Sequence, residues 1–151
     1  SGTLHIKGES VMTGYWNRTA RTRQALIGEF LATGDTYVRN VDGTYTCLGR
    51  TDDMLKVGGI WVSPAEVESC ILELEQILQV AVVGAKDEEG LVKPKAYVVP
   101  ADSHESVDIE AAVQDHVRSR LAPFKYPRWV EIVEALPQTA TGKIKRYLLR
   151  S

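Results

Sequence analysis

The chain has 151 residues, 44% of them hydrophobic and 25% charged, with a formal net charge of −2. These values describe about one domain of ordinary globular sequence and exclude a collagen-like repeat, a disordered tail and a disulfide-stapled miniprotein. No stretch nears the roughly 18 consecutive apolar residues of a membrane helix, and near-neutral charge exerts no general pull toward nucleic acid or anionic lipid.

Residues 3–7 alternate in strand fashion, and Gly8, Gly14, Gly28, Gly34 and Gly43 punctuate the stretch after them. Segments 37–40 and 44–47 flank Val41-Asp42-Gly43, and Asp-Gly is a strong hairpin signal. This block holds few large aliphatic residues, too few to close a core alone, so it reads as the edge of something larger. Near Arg50-Thr51-Asp52-Asp53 the character changes to a compact α+β unit. Ser63-Pro64-Ala65-Glu66 is a helix start: serine caps, proline takes the first turn, and Glu66 can reach back to the cap's amide. Val67, Cys70, Ile71 and Leu74 then mark one apolar face. Segments 79–85 and 95–99 read as strands around the acidic turn Asp87-Glu88-Glu89-Gly90. A second helix is predicted over 108–121, with Ile109, Ala112, Val113, His116 and Val117 on its apolar face. A third strand comes next at 129–133, and a short basic helix ends the chain.

Charge is unevenly spread. Residues 64–115 carry twelve acids against three lysines, whereas residues 118–151 carry eight bases against two acids. The basic end is either an anion site or a solvated face. Gly142-Lys143 is not a phosphate loop: Pro137 stands where the first glycine is needed, and Ile144 replaces the Ser or Thr. Segment 137–143 is instead a tight polar loop presenting one lysine, a compact point charge suited to an anionic oxygen, or else an ordinary exposed lysine. His5, His104 and His116 lack metal-ligand spacing, and His116 is expected in the core. Cys47 and Cys70 form no Cys-x-x-Cys, and both are expected as free thiols in a reducing compartment. No leader is visible in the opening residues, so the expected location is the cytoplasm.

Thr33-Gly34-Asp35 sets a carboxylate after a glycine, apt for a sugar diol. Gly49-Arg50-Thr51-Asp52-Asp53-Met54-Leu55-Lys56-Val57-Gly58-Gly59 leads into Pro64-Ala65-Glu66-Val67-Glu68. Leu121-Ala122-Pro123-Phe124-Lys125-Tyr126-Pro127 precedes the lysine loop. In this order, the segments resemble the adenylate-forming acyl-CoA synthetase superfamily, and within it the benzoate-CoA and related aryl-CoA ligases most. The resemblance implies an α+β fold. In it, 1–51 is the β-rich edge of a large AMP-binding domain, and 52–151 is a small mobile domain with a three-stranded sheet flanked by helices. It implies an ATP-dependent acid–CoA ligase acting on benzoate or a related acid, with ATP, CoA and Mg²⁺, the last without an identifiable ligand here. It also implies roles. Lys143 bridges the acid and the α-phosphate; Asp35 binds the ribose hydroxyls, assisted by Arg50; Asp52 is the hinge. Gly58 and Gly59 line the pantetheine tunnel. Lys125 and Arg128 are basic side chains suited to the phosphates of the CoA nucleotide, or else part of a solvated face. Asp53 is expected as a turn cap. Lys56 matches a lysine that some members use in thioester formation, or else is an exposed charge on that loop, and Trp61 replaces an arginine of some members and is expected to pack. The acid pocket and glycine-rich phosphate loop of the large domain are not in the chain, so 1–151 alone is expected to be inactive. The rival reading is a non-catalytic module that binds CoA or a partner.

Overall fold

The computed structural model describes residues 1–101 and 108–150; His104, Asp102 and Glu105 lie outside them. The chain divides into two compact units, Ser1–Asp52 and Asp53–Ser151. The first is an antiparallel sheet in which β3 (Phe30–Arg39) pairs with β1 (Gly2–Ile6), β2 (Leu26–Ile27) and β4 (Tyr45–Arg50). The hairpin expected around Val41-Asp42-Gly43 joins β3 to β4. Asp42 Oδ1 accepts from the Thr44 amide and hydroxyl at 3.0 and 2.7 Å, and the hydroxyl bond, then the amide bond, hold its carboxyl below the usual range. A polar helix α1 (Thr19–Ala25), without a buried residue, is not legible from periodicity. Thr36 alone is buried among this unit's described residues, in keeping with its poverty in large aliphatics.

The second unit builds the core. A hairpin of β5 (Leu55–Val57) and β6 (Ile60–Val62) leads into α2 (Pro64–Ile71), then β7 (Ile77–Lys86), β8 (Val92–Pro100), α3 (Ile109–Arg120) and β9 (Trp129–Ile132). Strand order is β7-β8-β9, the first pair antiparallel and the second parallel. Ser63 Oγ accepts from the Glu66 amide at 3.2 Å with Pro64 in the first turn, and Asp108 Oδ1 accepts from the Ala111 amide at 3.1 Å. Val67 and Ile71 of α2 and Val113 and Val117 of α3 are fully buried against Val82 and Val98 of the sheet. Each such side chain contributes about 1.5–3 kcal/mol relative to exposure.

Ala81, Val83, Tyr97 and Val99 point to the opposite face, where Leu136, Ile144 and Leu149 cover them. Burial on both faces explains the unbroken apolar run Val80-Ala81-Val82-Val83. The three-stranded sheet is thus as expected, but the helices occupy one face and the C-terminal segment the other. The expected terminal basic helix is a single 3-10 turn, Arg146–Leu148. Among the described residues, no helix is long and apolar enough to cross a membrane.

Candidate functional site

Three clusters gather the residues singled out above. In the first unit, Asp35 and Arg50 are register partners across β3 and β4. Arg50 donates through Nη1 to the Thr33 carbonyl at 2.9 Å, and that nitrogen lies 3.4 Å from Asp35 Oδ1; Nη2 lies 3.5 Å from Asp52 Oδ2. Gly34 makes this possible. Its φ is +78°, and a Cβ there would sit 2.7–2.9 Å from the guanidinium, so the arginine lies directly on a backbone with no side chain. Thr36 and Thr51 hydroxyls, 3.0 Å apart, brace the same strand ends. Asp35 remains about one-third exposed and can accept further hydrogen bonds.

In the second unit, Gly58 and Gly59 form the two-residue turn of the β5–β6 hairpin, both at positive φ (55° and 85°), as a type I′ turn requires. A Cβ at either would meet nothing within 4 Å, so the glycines serve the turn and leave its surface bare. Gly58 borders a cavity of about 270 Å³ with Phe124, Tyr126, Arg128 and Lys93. Arg128 Nη1 donates to the Tyr126 hydroxyl at 3.3 Å, and the Arg118 guanidinium stacks 4.3 Å from the Tyr126 ring centre. These bonds, Arg128's first, lower the Tyr126 pKa, and Tyr126 in turn raises that of Arg128.

Lys125 does not line this cavity. Its ammonium donates to Glu66 Oε1 at 2.6 Å, so the cavity's cations are Arg128 and Lys93. Lys93 is not legible as a site residue in sequence, because nothing before strand pairing distinguishes it, 4.0 Å from Asp87 Oδ2, from Lys95, whose ammonium pairs with Glu131 at 2.7 Å. Trp61 is 60% exposed rather than packed, with the Lys56 ammonium 5.7 Å from its ring.

Lys143 is exposed and closes a short turn, paired across it with Thr139. Thr139 N donates to Lys143 O at 2.8 Å, Lys143 N to Thr139 Oγ1 at 3.1 Å, and Lys145 N to Pro137 O at 2.8 Å, with Gly142 at φ +79°. An isolated bridge pairs Gln138 with Ile144.

Two findings are not legible in sequence. Asp53 does not act as a simple cap; its carboxylate receives Arg150 and lies 3.7 Å from Arg146 Nη1. Arg146 in turn chelates buried Glu68. The available signal is Glu68 itself, an acid on the buried face at one helical turn from Pro64 and Ile71. His116, expected in the core, instead sits 3.1 Å from Glu73 Oε2 and 3.0 Å from Arg120 Nη1, and Arg120 also bonds Glu73. His116's bond, then Arg120, hold the Glu73 carboxyl below its usual range, while burial raises the neighbouring Cys70 thiol. Cys70, Glu73 and His116 are the one group of three potential metal ligands among the described residues. Its sulfur and nitrogen donors do not fit Mg²⁺, which demands oxygen ligands in near-octahedral geometry, and Arg120 already supplies a cation there. No magnesium-dependent step is therefore assigned to this chain.

Residues 66–143 match the AMP-binding enzyme C-terminal domain family. The chain is 47% identical, over 99% of its length, to a 4-hydroxybenzoate–CoA/benzoate–CoA ligase of Rhodopseudomonas palustris. It is likewise 47% identical, over all of its length, to a benzoate–CoA ligase of Thauera aromatica. It spans only 28–29% of those relatives. Among solved structures, an anthranilate CoA ligase in complex with anthranoyl-AMP matches 99% of the chain at 41% identity with TM-score 0.91, the chain covering 30% of it. A benzoate CoA ligase of Burkholderia xenovorans matches with TM-score 0.88 at 44% identity, again over 99% of the chain and 30% of that structure.

Proposed function

Because this chain belongs to the AMP-binding enzyme C-terminal domain family, we propose that it is the C-terminal part of an ATP-dependent ligase that joins benzoate or a related aryl acid to CoA. In the first step a carboxylate oxygen attacks the α-phosphorus of ATP, the bond to pyrophosphate breaks, and an acyl-adenylate forms. In the second the CoA thiol attacks the acyl carbon, loses its proton, and AMP departs. The first step brings two anions together, and Lys143 supplies a cation between them as charge develops. Asp35 accepts hydrogen bonds from the ribose hydroxyls, and Arg50, seated on Gly34, fixes the carboxylate's direction. The bare Gly58-Gly59 turn admits the pantetheine arm at close range, and Arg128 and Lys93 meet CoA phosphate, with Lys125 available when it leaves Glu66. Asp52 is the hinge between the two steps, and 1–51 is the edge of a large domain that holds the rest of the active site.

The observation that most supports this reading is the likeness to benzoate–CoA ligases along essentially the whole chain. It is tested by assaying the complete polypeptide carrying this chain with benzoate, ATP and CoA. Benzoate-dependent pyrophosphate release followed by benzoyl-CoA is expected, and residues 1–151 alone should yield neither. Acid-dependent pyrophosphate release by the isolated chain, or none by the complete polypeptide with any aryl acid, would refute it.

A further inference from the structure

We propose that Glu68, Arg146 and Asp53 are positioning residues that hold the Lys143 loop in the orientation adenylation needs. The proposal rests on the reading of Lys143 as the adenylation lysine. Arg146 follows Lys143 by three residues and is the first strongly anchored side chain beyond the loop. Its Nη2 lies 2.9 and 2.7 Å from the two oxygens of Glu68, and its Nε lies 3.3 Å from Oε1. Glu68 is only 9% exposed, and the same Oε1 accepts from the Val82 amide of β7 at 2.8 Å. The guanidinium is thus tied through one carboxylate to α2 and the central sheet together. On its other side it faces Asp53, which Arg150 also bonds.

A buried ion pair is a weak source of stability, since apolar side chains of similar volume often do as well. What a forked guanidinium on a carboxylate adds is direction, because two parallel bonds fix azimuth as well as distance. Ile144 and Leu149 already bury the tail on the sheet's outer face. Apolar packing alone permits rotation of the segment that carries Lys143; the Glu68 fork removes that freedom. Asp53 adds a second constraint with a mechanical meaning. Asp52 pairs with Arg50, whereas its neighbour Asp53 pairs with Arg146 and Arg150. Fixing Asp53 to the base of the Lys143 loop makes the loop and the first residue of the second unit move as one piece.

The test uses the complete ligase and separates the half-reactions. Arg146→Met keeps length and apolar stem but loses the fork. Misplacement by about 1 Å costs roughly 10²-fold, so acyl-adenylate formation should fall about 10- to 100-fold, with KM for ATP and acid within about twofold. Transfer of CoA onto preformed adenylate should be unchanged, because Lys143 serves only the first step. In the same variant, hydrogen exchange at the Lys143 and Lys145 amides should accelerate about tenfold or more while β7–β8 amides keep their rates. Arg146→Lys should recover little, since it restores charge without the fork, and Glu68→Gln substitutes if Arg146→Met does not fold. Unchanged adenylation, or equal loss in both half-reactions, overturns the proposal. Lys143→Ala measured in parallel separates the two failures. If that change leaves adenylation intact, the lysine's role is wrong and with it the catalytic half of the proposal, while the exchange rates still decide whether Arg146 orders the loop.

Discussion

Replacing Gly34 by alanine tests the geometry of the Asp35–Arg50 pair with a magnitude taken from the structure. Two costs arise. The backbone at φ +78° holds a residue with a Cβ only against a left-handed penalty of about 1–2 kcal/mol. The new methyl also falls 2.7, 2.8 and 2.9 Å from Nη2, Nη1 and Cζ of Arg50. That contact is with the mobile end of a side chain half exposed to solvent, so the guanidinium yields, losing its 2.9 Å bond to the Thr33 carbonyl. A net bond of this kind is worth about 1 kcal/mol. The β3–β4 ladder should therefore open more readily by about 2–3 kcal/mol, roughly 30- to 150-fold in the opening equilibrium. Hydrogen exchange at the Thr36–Arg39 amides reads this directly, and the β7–β8 amides of the second unit serve as an internal control. In an Arg50→Ala background the methyl meets no guanidinium, so Gly34→Ala should there cost only the backbone share. Unchanged exchange in β3, equal acceleration of both units, or the same cost with and without Arg50 would refute this geometry.

Asp52→Pro in the complete ligase fixes φ near −65°; adenylation should persist while CoA transfer from preformed adenylate drops by roughly 10²-fold or more, and equal slowing of both steps in a folded variant defeats the hinge assignment. Glu73 should titrate below the usual carboxylate range by NMR, and His116→Ala should raise its midpoint. Because its folded pKa is lowered, its contribution is complete above the ordinary range and is lost as pH falls through the lowered value, so acid should weaken the link between Glu73, just after α2, and His116 of α3. A thiol reagent should modify exposed Cys47 promptly and buried Cys70 only on unfolding; prompt reaction at both would contradict the packing of α2.

Much of the second unit is legible in sequence because its local signals agree with its packing. Ser63-Pro64 and Asp108 mark the starts of α2 and α3, and the apolar spacing after each marks the face that is buried. The β5–β6 hairpin is not legible as strands, since three residues on either side of Gly58-Gly59 are too few for alternation to register. Of the candidate site, Asp35, Arg50, Gly58, Gly59 and Lys143 stand out as motif residues whose chemistry is local. Glu68, Asp53 and Arg146 do not, because their meaning lies in pairing across 78 positions, between Glu68 and Arg146, and as many as 97, between Asp53 and Arg150. The engagement of Lys125 by Glu66 is likewise invisible, being a contact between a helix start and a turn 59 residues later.

The role of Lys143 is the central claim, and single-turnover formation of the acyl-adenylate by the complete ligase tests it most directly. Lys143→Ala should slow that step by about 10²-fold or more, the scale of losing one preorganised electrostatic contact, while transfer of CoA onto preformed adenylate continues at its normal rate. A loss below about tenfold, or a parallel loss in the second step, would show that Lys143 is a surface lysine and not the cation that joins acid to nucleotide.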